Sequence, residues 1–410
     1  MTIVVAADFA HVNGGAGRIA IDSARGLAAA GHQVILFTAV GPIAADLADR
    51  PNLRVECLGQ PDIWHDPDRV GAAMRGWWNR AAAARLDAVL DGVDRRHAVV
   101  HLHSWTKGLS ASVVRAARAR GVPVVTTLHD FLIVCPTGTL FDHRQRQPCP
   151  LTPMTAACIA TPCDARSYAH KLWRVGRHLV QARAGGLPGG AAHVIAISEA
   201  SARRLRPLLP ADCRVHVVPN FSEVPRGVPA EIARNGDIVY VGRLSAEKGP
   251  LLLAASPRRL GQPGPFVGDG ELAGAVRAHA PGLEVTGWLD PAAVRAHLRR
   301  ARMLVLPSLW FETQGLVVAE AAAAGVPAIV PATSGARDWV DDGVHGLWFQ
   351  SGDAADLARQ IARLRDDDAL AARLGRAAYD RFWTAPPTLA RHVAALERVY
   401  AHVRAAGAAA

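Results

Sequence analysis

The chain has 410 residues, of which half are apolar, so it is longer than a typical single domain and can bury a core in each of two domains. Its formal charge of +10 comes mostly from arginine and favours anionic partners, such as nucleotide diphosphates or an anionic inner membrane leaflet; nucleic acid is not expected, because the sequence has no recognisable nucleic-acid-binding motif. Every apolar run is too short to span a membrane, and the first residues are typical of a strand rather than a signal peptide, which predicts a cytoplasmic protein.

Short apolar strands alternate with longer helical patterns, which is typical of doubly wound α/β domains. In the first half we predict strands at 3–7, 33–38, 99–103, 122–128, 193–197 and 214–218, with a helix over 18–30. In the second half we predict strands at 238–241, 283–286, 303–306 and 328–330. The prolines and glycines of 220–236 predict a linker between domains 1–219 and 237–385, and an amphipathic pattern predicts a final helical segment over 386–410.

The glycines after the first strand form a loop before the first predicted helix. Gly14, Gly15 and Gly17 allow a ligand to approach the backbone closely, and the N-terminus of the following helix favours a phosphate or sugar oxygen. Residues 15–20 also match the dinucleotide-binding fingerprint, which raises the alternative of a dehydrogenase. The second strand ends at Thr38 without the acidic residue that binds ribose in that class, so a dehydrogenase is disfavoured.

Two predicted strands of the first half end in histidines. His101 and His103 lie at the end of one strand, and His129 with Asp130 directly follows another. Because the carboxyl ends of strands line the crevice of an open α/β sheet, we predict that His129, Asp130 and His103 lie at a ligand-binding cleft. We expect His101 to be structural.

Four cysteines lie within a Pro- and Thr-rich excursion over 131–166, namely Cys135, Cys149, Cys158 and Cys163. Their spacing is not the Cys-x-x-Cys of common zinc ribbons, and disulfides are not expected in a reducing cytoplasm. A structural metal ion or cluster and four unlinked thiols are both left open.

A pair of cations follows the first strand of the second half. Arg243 and Lys248 lie on either side of a turn that begins at Gly242, so both charges can converge on a diphosphate. A second glycine loop, around Gly268, follows in the same domain.

Two carboxylates, Glu312 and Glu320, are eight positions apart across a predicted strand-loop-helix unit. Glu312 falls in the loop and Glu320 within the helix, where a carboxylate among alanines needs a polar partner or solvent. Between them, Gly315 and Leu316 are predicted to present unpaired backbone N–H groups at the start of the helix, which suits an anion or a hydroxyl. The alternative is that Glu320 points to solvent or pairs with an arginine.

Taken in order, these motifs resemble those of the retaining glycosyltransferases of family 4. The resemblance is closest from Pro307 to Pro327 and in the Gly-Arg-Leu-x-x-x-Lys-Gly sequence after Val241, whereas the glycine loop and His129 are more generic. The family has the GT-B fold, in which two Rossmann-like doubly wound domains face a central cleft, and the resemblance implies that fold here. A subset of the family is similar in having four cysteines in this excursion.

The resemblance implies transfer of a sugar from a nucleotide-diphosphate-sugar donor to an acceptor hydroxyl with retention of configuration, and no metal or other cofactor is required for catalysis. It places Glu312 on the donor sugar, His129 opposite the sugar and its phosphate, and Arg243 with Lys248 on the leaving diphosphate. Glu320 holds the ribose hydroxyls. The other implied donor-binding residues are Gly14, Gly15, Gly242, Gly268, Gly315, Leu316 and Val317, and the implied acceptor-side residues are Gly17, His103 and Asp130.

The resemblance further implies that 1–219 is the acceptor-side domain, that 237–385 binds the donor, and that the final helix crosses back to the first domain. We expect a glycan or lipid-linked acceptor from cell-envelope polysaccharide, lipopolysaccharide or glycolipid synthesis, with peripheral contact to the anionic inner membrane. Thr313 and Gln314 replace the residues usual in the family, which predicts an unusual sugar preference. A nucleotide-sugar epimerase on the same fold and a non-catalytic nucleotide-sugar-binding subunit are the alternatives.

Overall fold

The computed structural model describes residues 1–190, 192–255, 264–279 and 282–408. The strands are β1 (Thr2–Phe9), β2 (Gln33–Val40), β3 (Leu53–Cys57), β4 (Ala98–Leu102), β5 (Val124–Leu128), β6 (Phe141–Asp142), β7 (Gln147–Pro148), β8 (His193–Ala196), β9 (Arg214–Val217), β10 (Asp237–Val241), β11 (Phe266–Val267), β12 (Ala301–Val305), β13 (Ala328–Pro331) and β14 (Gly346–Phe349). The helices are α1 (Gly15–Ala29), α2 (Arg69–Trp77), α3 (Arg80–Asp91), α4 (Ser112–Ala119), α5 (Ala156–Ala160), α6 (Tyr168–Val180), α7 (Glu199–Leu205), α8 (Pro250–Ala254), α9 (Ala273–His279), α10 (Pro291–Arg300), α11 (Leu316–Ala323), α12 (Ala354–Asp366), α13 (Asp368–Thr384) and α14 (Leu389–Ala408). Among these helices, none is long and apolar enough to cross a lipid bilayer.

Two parallel sheets organise the chain. The first has the order β3-β2-β1-β4-β5-β8-β9, and the second has the order β11-β10-β12-β13-β14. β4, β5 and β12 are buried at every position, because helices cover both faces of each sheet and the strands are therefore continuous apolar runs. The predicted doubly wound α/β architecture is confirmed.

Most predicted strands are present, with boundaries that differ by one or two residues. The prediction of a strand at 283–286 is wrong: Val285 makes a single bridge to Phe266, and the segment does not continue as a strand. β3, β6, β7, β11 and β14 were not predicted. β6, β7 and β11 have two residues each, which is too short to show a periodic pattern.

The two sheets are joined by an extended segment and by the final helix. Residues 219–236 contain one short 3-10 helix, Ile232–Arg234, and otherwise no regular structure. α14 then packs on the first sheet, where Leu396 and Tyr400 share a core with Ile3. α1 and α14 approach closely at Gly26 of α1: a Cβ there would lie 2.7 Å from the side chain of Val393 of α14. Residues 409 and 410 of the predicted final segment lie outside the described residues.

A second close approach, at Gly375 of α13, gives a test of the packing. A Cβ at Gly375 would overlap the backbone carbonyl oxygen of Gly325, which ends α11, and a backbone atom cannot turn aside as a flexible side chain can. We predict that Gly375→Ala lowers the free energy of unfolding by about 1–3 kcal/mol, the usual cost of overpacking. Thermal unfolding followed by circular dichroism measures this as a fall of several degrees in Tm.

Gly274→Ala in α9 is the matched control, because a Cβ at that position meets nothing within 4 Å. The control is expected to keep or slightly raise the wild-type Tm, since alanine favours a helix more than glycine does. Equal melting temperatures for the two variants would show that α13 does not pack on the end of α11 as described.

Candidate active site

The residues from 312 to 315, after β12, link the two sheets. The Thr313 hydroxyl donates a hydrogen bond of 3.1 Å to the carbonyl oxygen of His129, and Ser198 Oγ donates one of 2.6 Å to the carbonyl of Thr313. Gln314 exchanges hydrogen bonds of 3.2 and 3.3 Å with the backbone of Asn220. Thr313 and Gln314 are buried in these contacts, so their side chains face the first sheet. This geometry gives no support to the expectation that they set the sugar preference.

Glu312 forms an ion pair with Lys248. The Lys248 ammonium lies 2.6 Å from Glu312 Oε2, and the same oxygen accepts hydrogen bonds from Ser308 Oγ at 3.2 Å and Trp310 Nε1 at 3.1 Å. Only 10% of the Glu312 side chain is exposed. Burial opposes its ionisation, but the Lys248 charge and the three hydrogen bonds outweigh burial and hold the pKa of Glu312 below its usual value. The carboxylate is therefore ionised.

Two loops bring this pair together. Lys248 ends the 3-10 helix Ala246–Lys248, and Gly249 follows in the left-handed conformation with a φ of 64°. A Cβ at Gly249 would overlap the carbonyl oxygen of Pro307, so only glycine allows the loop after β10 to lie against the loop after β12. The N–H of Leu309 also bonds the Glu247 carbonyl at 2.9 Å. Ser308 and Trp310, which contact Glu312, were not predicted, although both lie within four residues of it.

Arg243 and Lys248 make different contacts in this structure. Arg243 has a side chain that is 65% exposed, and its nearest carboxylate is Glu247, at 3.7 Å. Gly242 and Gly268 pack backbone to backbone, because a Cβ at Gly268 would overlap the Gly242 carbonyl. Gly268 thus supports the loop that carries Arg243.

Glu320 lies in the helix that starts directly after this loop. α11 begins at Leu316, followed by Val317, and its N-cap, Gly315, adds no side-chain hydrogen bond, so the first N–H groups of α11 remain available to a ligand. Burial raises the pKa of Glu320, and the charges of Arg295 and Arg18 oppose that rise. In the described part of the chain Glu320 has no ion pair within 4 Å. Its carboxylate is half-buried, so it is neither fully exposed to solvent nor paired with an arginine.

The charge of Arg18 acts on Glu320, so the glycine loop of the first sheet, which Arg18 directly follows, lies near Glu320. α1 starts at Gly15, three residues earlier than predicted, with Gly14 as its N-cap. A Cβ at Gly14 or Gly15 would meet nothing within 4 Å, so space for a ligand lies beside this helix N-terminus.

The histidines at the ends of β4 and β5 contact one another or bond neighbouring side chains. His103 Nδ1 lies 3.1 Å from His129 Nε2, with the rings stacked at 5.3 Å. His101 bonds Tyr400 of α14 at 2.6 Å and Thr127 at 2.7 Å, as expected of a structural residue. Burial, reinforced by His392, lowers the pKa of His129 to about 3, so its ring is neutral at pH 7.

His129 and Asp130 line a cavity of about 160 Å³ together with Gly17, Asp8 and Lys107. Burial raises the pKa of Asp130 to about 6. Asp8 accepts backbone hydrogen bonds of 3.1, 2.8 and 3.0 Å from the loop that carries Lys107. Asp8 and Lys107 were not predicted; the position of Asp8 in β1 beside the glycine loop is the signal that was available.

The four cysteines lie around a buried lysine. Lys171 Nζ is 2.9 Å from Cys163 Sγ and 3.8 Å from Cys158 Sγ, and only 1% of Lys171 is exposed. Cys135 and Cys149 are near enough to affect ionisation within the group. Among the described residues no three histidine, cysteine or carboxylate side chains are placed to hold a metal ion, and the ammonium would repel one. The metal or cluster at these cysteines stays a prediction without support from this geometry.

Known proteins resemble this chain in sequence and in fold. Residues 13–224 match the family described as Glycosyltransferase Family 4, and residues 235–367 match Glycosyl transferases group 1. The chain is 29% identical over 400 residues to a glycogen synthase of Mycobacterium tuberculosis, covering 90% of this chain and 87% of that protein. It is 27% identical to a D-inositol 3-phosphate glycosyltransferase of Pseudarthrobacter chlorophenolicus, covering 75% and 73%.

Solved structures share the fold at low identity. A sucrose-phosphate synthase from Thermosynechococcus elongatus superposes with a TM-score of 0.70 at 19% identity, covering 99% of both chains. Anabaena HepE in complex with UDP superposes with a TM-score of 0.67 at 18% identity, covering 98% of this chain and 100% of that one. These neighbours confirm the GT-B fold, and the alternatives of an epimerase and a non-catalytic subunit find no support in the matches. The chain belongs to glycosyltransferase family 4 and is a glycosyltransferase.

Proposed function

We propose that the protein transfers a sugar from a nucleotide-diphosphate-sugar donor to an acceptor hydroxyl with retention of anomeric configuration. The observation that carries the proposal is the Lys248–Glu312 ion pair, held against His129 by the hydrogen bond from Thr313. A cation for the leaving group, a carboxylate for the sugar and a neutral histidine are thereby gathered in one cleft. Anabaena HepE forms crystal complexes with UDP and with UDP-glucose, which supports a nucleotide-sugar donor here.

The donor is placed with its diphosphate at the loop after β10. Lys248 lies within this loop and Arg243 extends from it into solvent, so both cations can bind phosphate oxygens. Glu320 is placed on the ribose hydroxyls, because a half-buried carboxylate without an ion pair is a good acceptor for two hydroxyl donors. The N-terminus of α1, with Gly14 and Gly15, faces the phosphates from the other side.

In the reaction, the bond from the anomeric carbon to the phosphate oxygen breaks while the acceptor oxygen bonds that carbon from the same face. The acceptor proton passes to the departing phosphate oxygen, so no protein nucleophile is needed. Lys248 and Arg243 stabilise the negative charge that develops on the diphosphate, and the ionised Glu312 stabilises positive charge on the sugar. His129 is neutral and offers a hydrogen bond to the sugar without adding a charge.

The acceptor is proposed to bind at the cavity of His129 and Asp130, on the side of the first sheet. A glycan or lipid-linked acceptor of envelope synthesis, at the inner face of the membrane, is the class that we infer. The named relatives include a glycogen synthase and an inositol phosphate glycosyltransferase, so the family match allows different acceptors.

The role of Glu312 predicts a loss of turnover in Glu312→Gln. The variant keeps the shape of the side chain but removes its charge, so we expect the rate of nucleoside diphosphate release to fall about 100-fold or more. The donor is the UDP-, GDP- or ADP-sugar that gives the largest thermal shift with the wild-type protein. The rate is measured with a coupled assay for the released diphosphate.

Glu231→Gln is the control for this variant, because Glu231 forms an exposed ion pair with Arg234, at 2.7 Å, away from the cleft. It should keep wild-type turnover, since exposed pairs contribute little. Wild-type turnover in Glu312→Gln would remove Glu312 from the mechanism.

The raised pKa of Asp130 predicts a pH-dependent stability. Its folded pKa of about 6 lies above the ordinary value of 3.8, so the stability that protonated Asp130 contributes is complete below pH 4 and is lost as pH rises through 6. Asp130→Asn removes this dependence. From pH 4 to pH 7, we expect the free energy of unfolding of the variant to rise by about 1–3 kcal/mol relative to that of the wild type. The difference is followed through Tm at each pH.

Asp380→Asn, at an exposed position of α13, serves as the control and should follow the wild-type profile. A constant difference in Tm between Asp130→Asn and wild type across this pH range would contradict a raised pKa at Asp130.

A further inference from the structure

A second cavity, of about 240 Å³, lies beside Glu312. α7 and the loop after β13 form its walls, and Arg203, Arg204 and Arg337 line it, whereas Arg243, Lys248 and Glu320 do not. We call it the arginine cavity. Any ligand there is therefore separate from the nucleotide diphosphate of the proposed function.

Two of the guanidinium groups are fixed by the fold. Arg337 donates a hydrogen bond of 2.9 Å to the Ala332 carbonyl and stacks 4.0 Å from the ring centroid of Trp348. Arg204 lies 4.1 Å from the ring centroid of Phe311. Side chains held in one orientation lose little entropy when they bind a ligand, so these two arginines are preorganised.

The positive charge in this cavity is not balanced by protein carboxylates. Arg204 Nε is buried and has no hydrogen-bond partner among the described residues. Glu312 also lines the cavity, but its charge is matched by Lys248. Asp338 lies close enough to feel the charge of Arg203, and its carboxylate accepts the N–H of Glu199 at 2.6 Å. Glu199 is also close enough for its charge to act on Asp338. Three cations against these two carboxylates leave about one net positive charge, which favours an anionic ligand.

We propose that the arginine cavity binds a phosphate group carried by the acceptor. Phe131, which directly follows the cleft residue Asp130, lines the cavity together with α7. Both lie in the half of the chain that contains the first sheet, and the proposed function puts the acceptor on that side. Guanidinium groups bind phosphate oxygens through paired hydrogen bonds, and three of them line this one cavity. The inference rests on the proposed function for the identity of the acceptor side.

The binding test uses inorganic phosphate as the probe, in the presence of saturating nucleoside diphosphate so that the diphosphate site is filled. Isothermal titration of wild type, Arg204→Met and Arg337→Met is expected to show roughly tenfold weaker phosphate binding for each variant. Arg203→Met, at an exposed position that does not risk the fold, should weaken binding in the same direction. Arg234→Met, which removes an exposed arginine elsewhere, should bind as wild type does.

The kinetic test uses matched acceptor pairs, namely glycerol with glycerol 3-phosphate and glucose with glucose 6-phosphate. We expect the wild type to prefer the phosphorylated member at least tenfold in kcat/KM, and Arg204→Met to remove that preference through KM while neutral acceptors are unaffected. Equal use of both members, or phosphate binding unchanged in all three arginine variants, would overturn the inference.

A further arm compares UDP-glucose with UDP-glucuronic acid as donors. If the arginine variants slow transfer from UDP-glucuronic acid but not from UDP-glucose, the arginines bind the carboxylate of the donor. That result would overturn the assignment to the acceptor. Failure of the proposed function is distinguishable, because in that case no sugar nucleotide releases its diphosphate with any acceptor, whereas failure of this inference leaves transfer to neutral acceptors intact.

Discussion

The four residues from Glu312 to Gly315 have to satisfy both halves of the molecule at once, and the geometry of the cleft depends on them. Glu312 turns its carboxylate to Lys248 in the second half, while the next two side chains bond the backbone of the first half at His129 and Asn220. Gly315 then ends the loop in the left-handed conformation and starts α11. A displacement of this segment would therefore move the carboxylate, the cleft histidine and the helix start together.

Electrostatics explains why Lys248 and Glu312 are paired. A buried carboxylate without a partner is costly, and one lysine together with two neutral donors stabilises this one. In the proposed function, a diphosphate near Lys248 would give the ammonium a second anion and leave the charge on Glu312 directed toward the sugar. The same pair would stabilise charge in the proposed reaction.

The sequence predicted those features that depend on short stretches of chain. The parallel strands, the glycine loop at α1 and the positions of Glu312 and Glu320 follow from local patterns. Contacts between distant segments could not be predicted in this way: Lys248 meets Glu312 only because Gly249 allows two loops to pack. Likewise, Arg204 and Arg337 lie far apart in the chain and face one cavity only after the two sheets are placed.

The central claim, that Lys248 serves both Glu312 and the diphosphate, is tested most directly by the affinity of the protein for the nucleoside diphosphate that it releases. Isothermal titration at fixed ionic strength should show binding about tenfold or more weaker in Lys248→Met, because a charge-assisted hydrogen bond to phosphate is lost. Glu312→Gln should bind the diphosphate more tightly than wild type does, because it removes the anion that competes for the ammonium. Unchanged affinity in Lys248→Met would contradict this account.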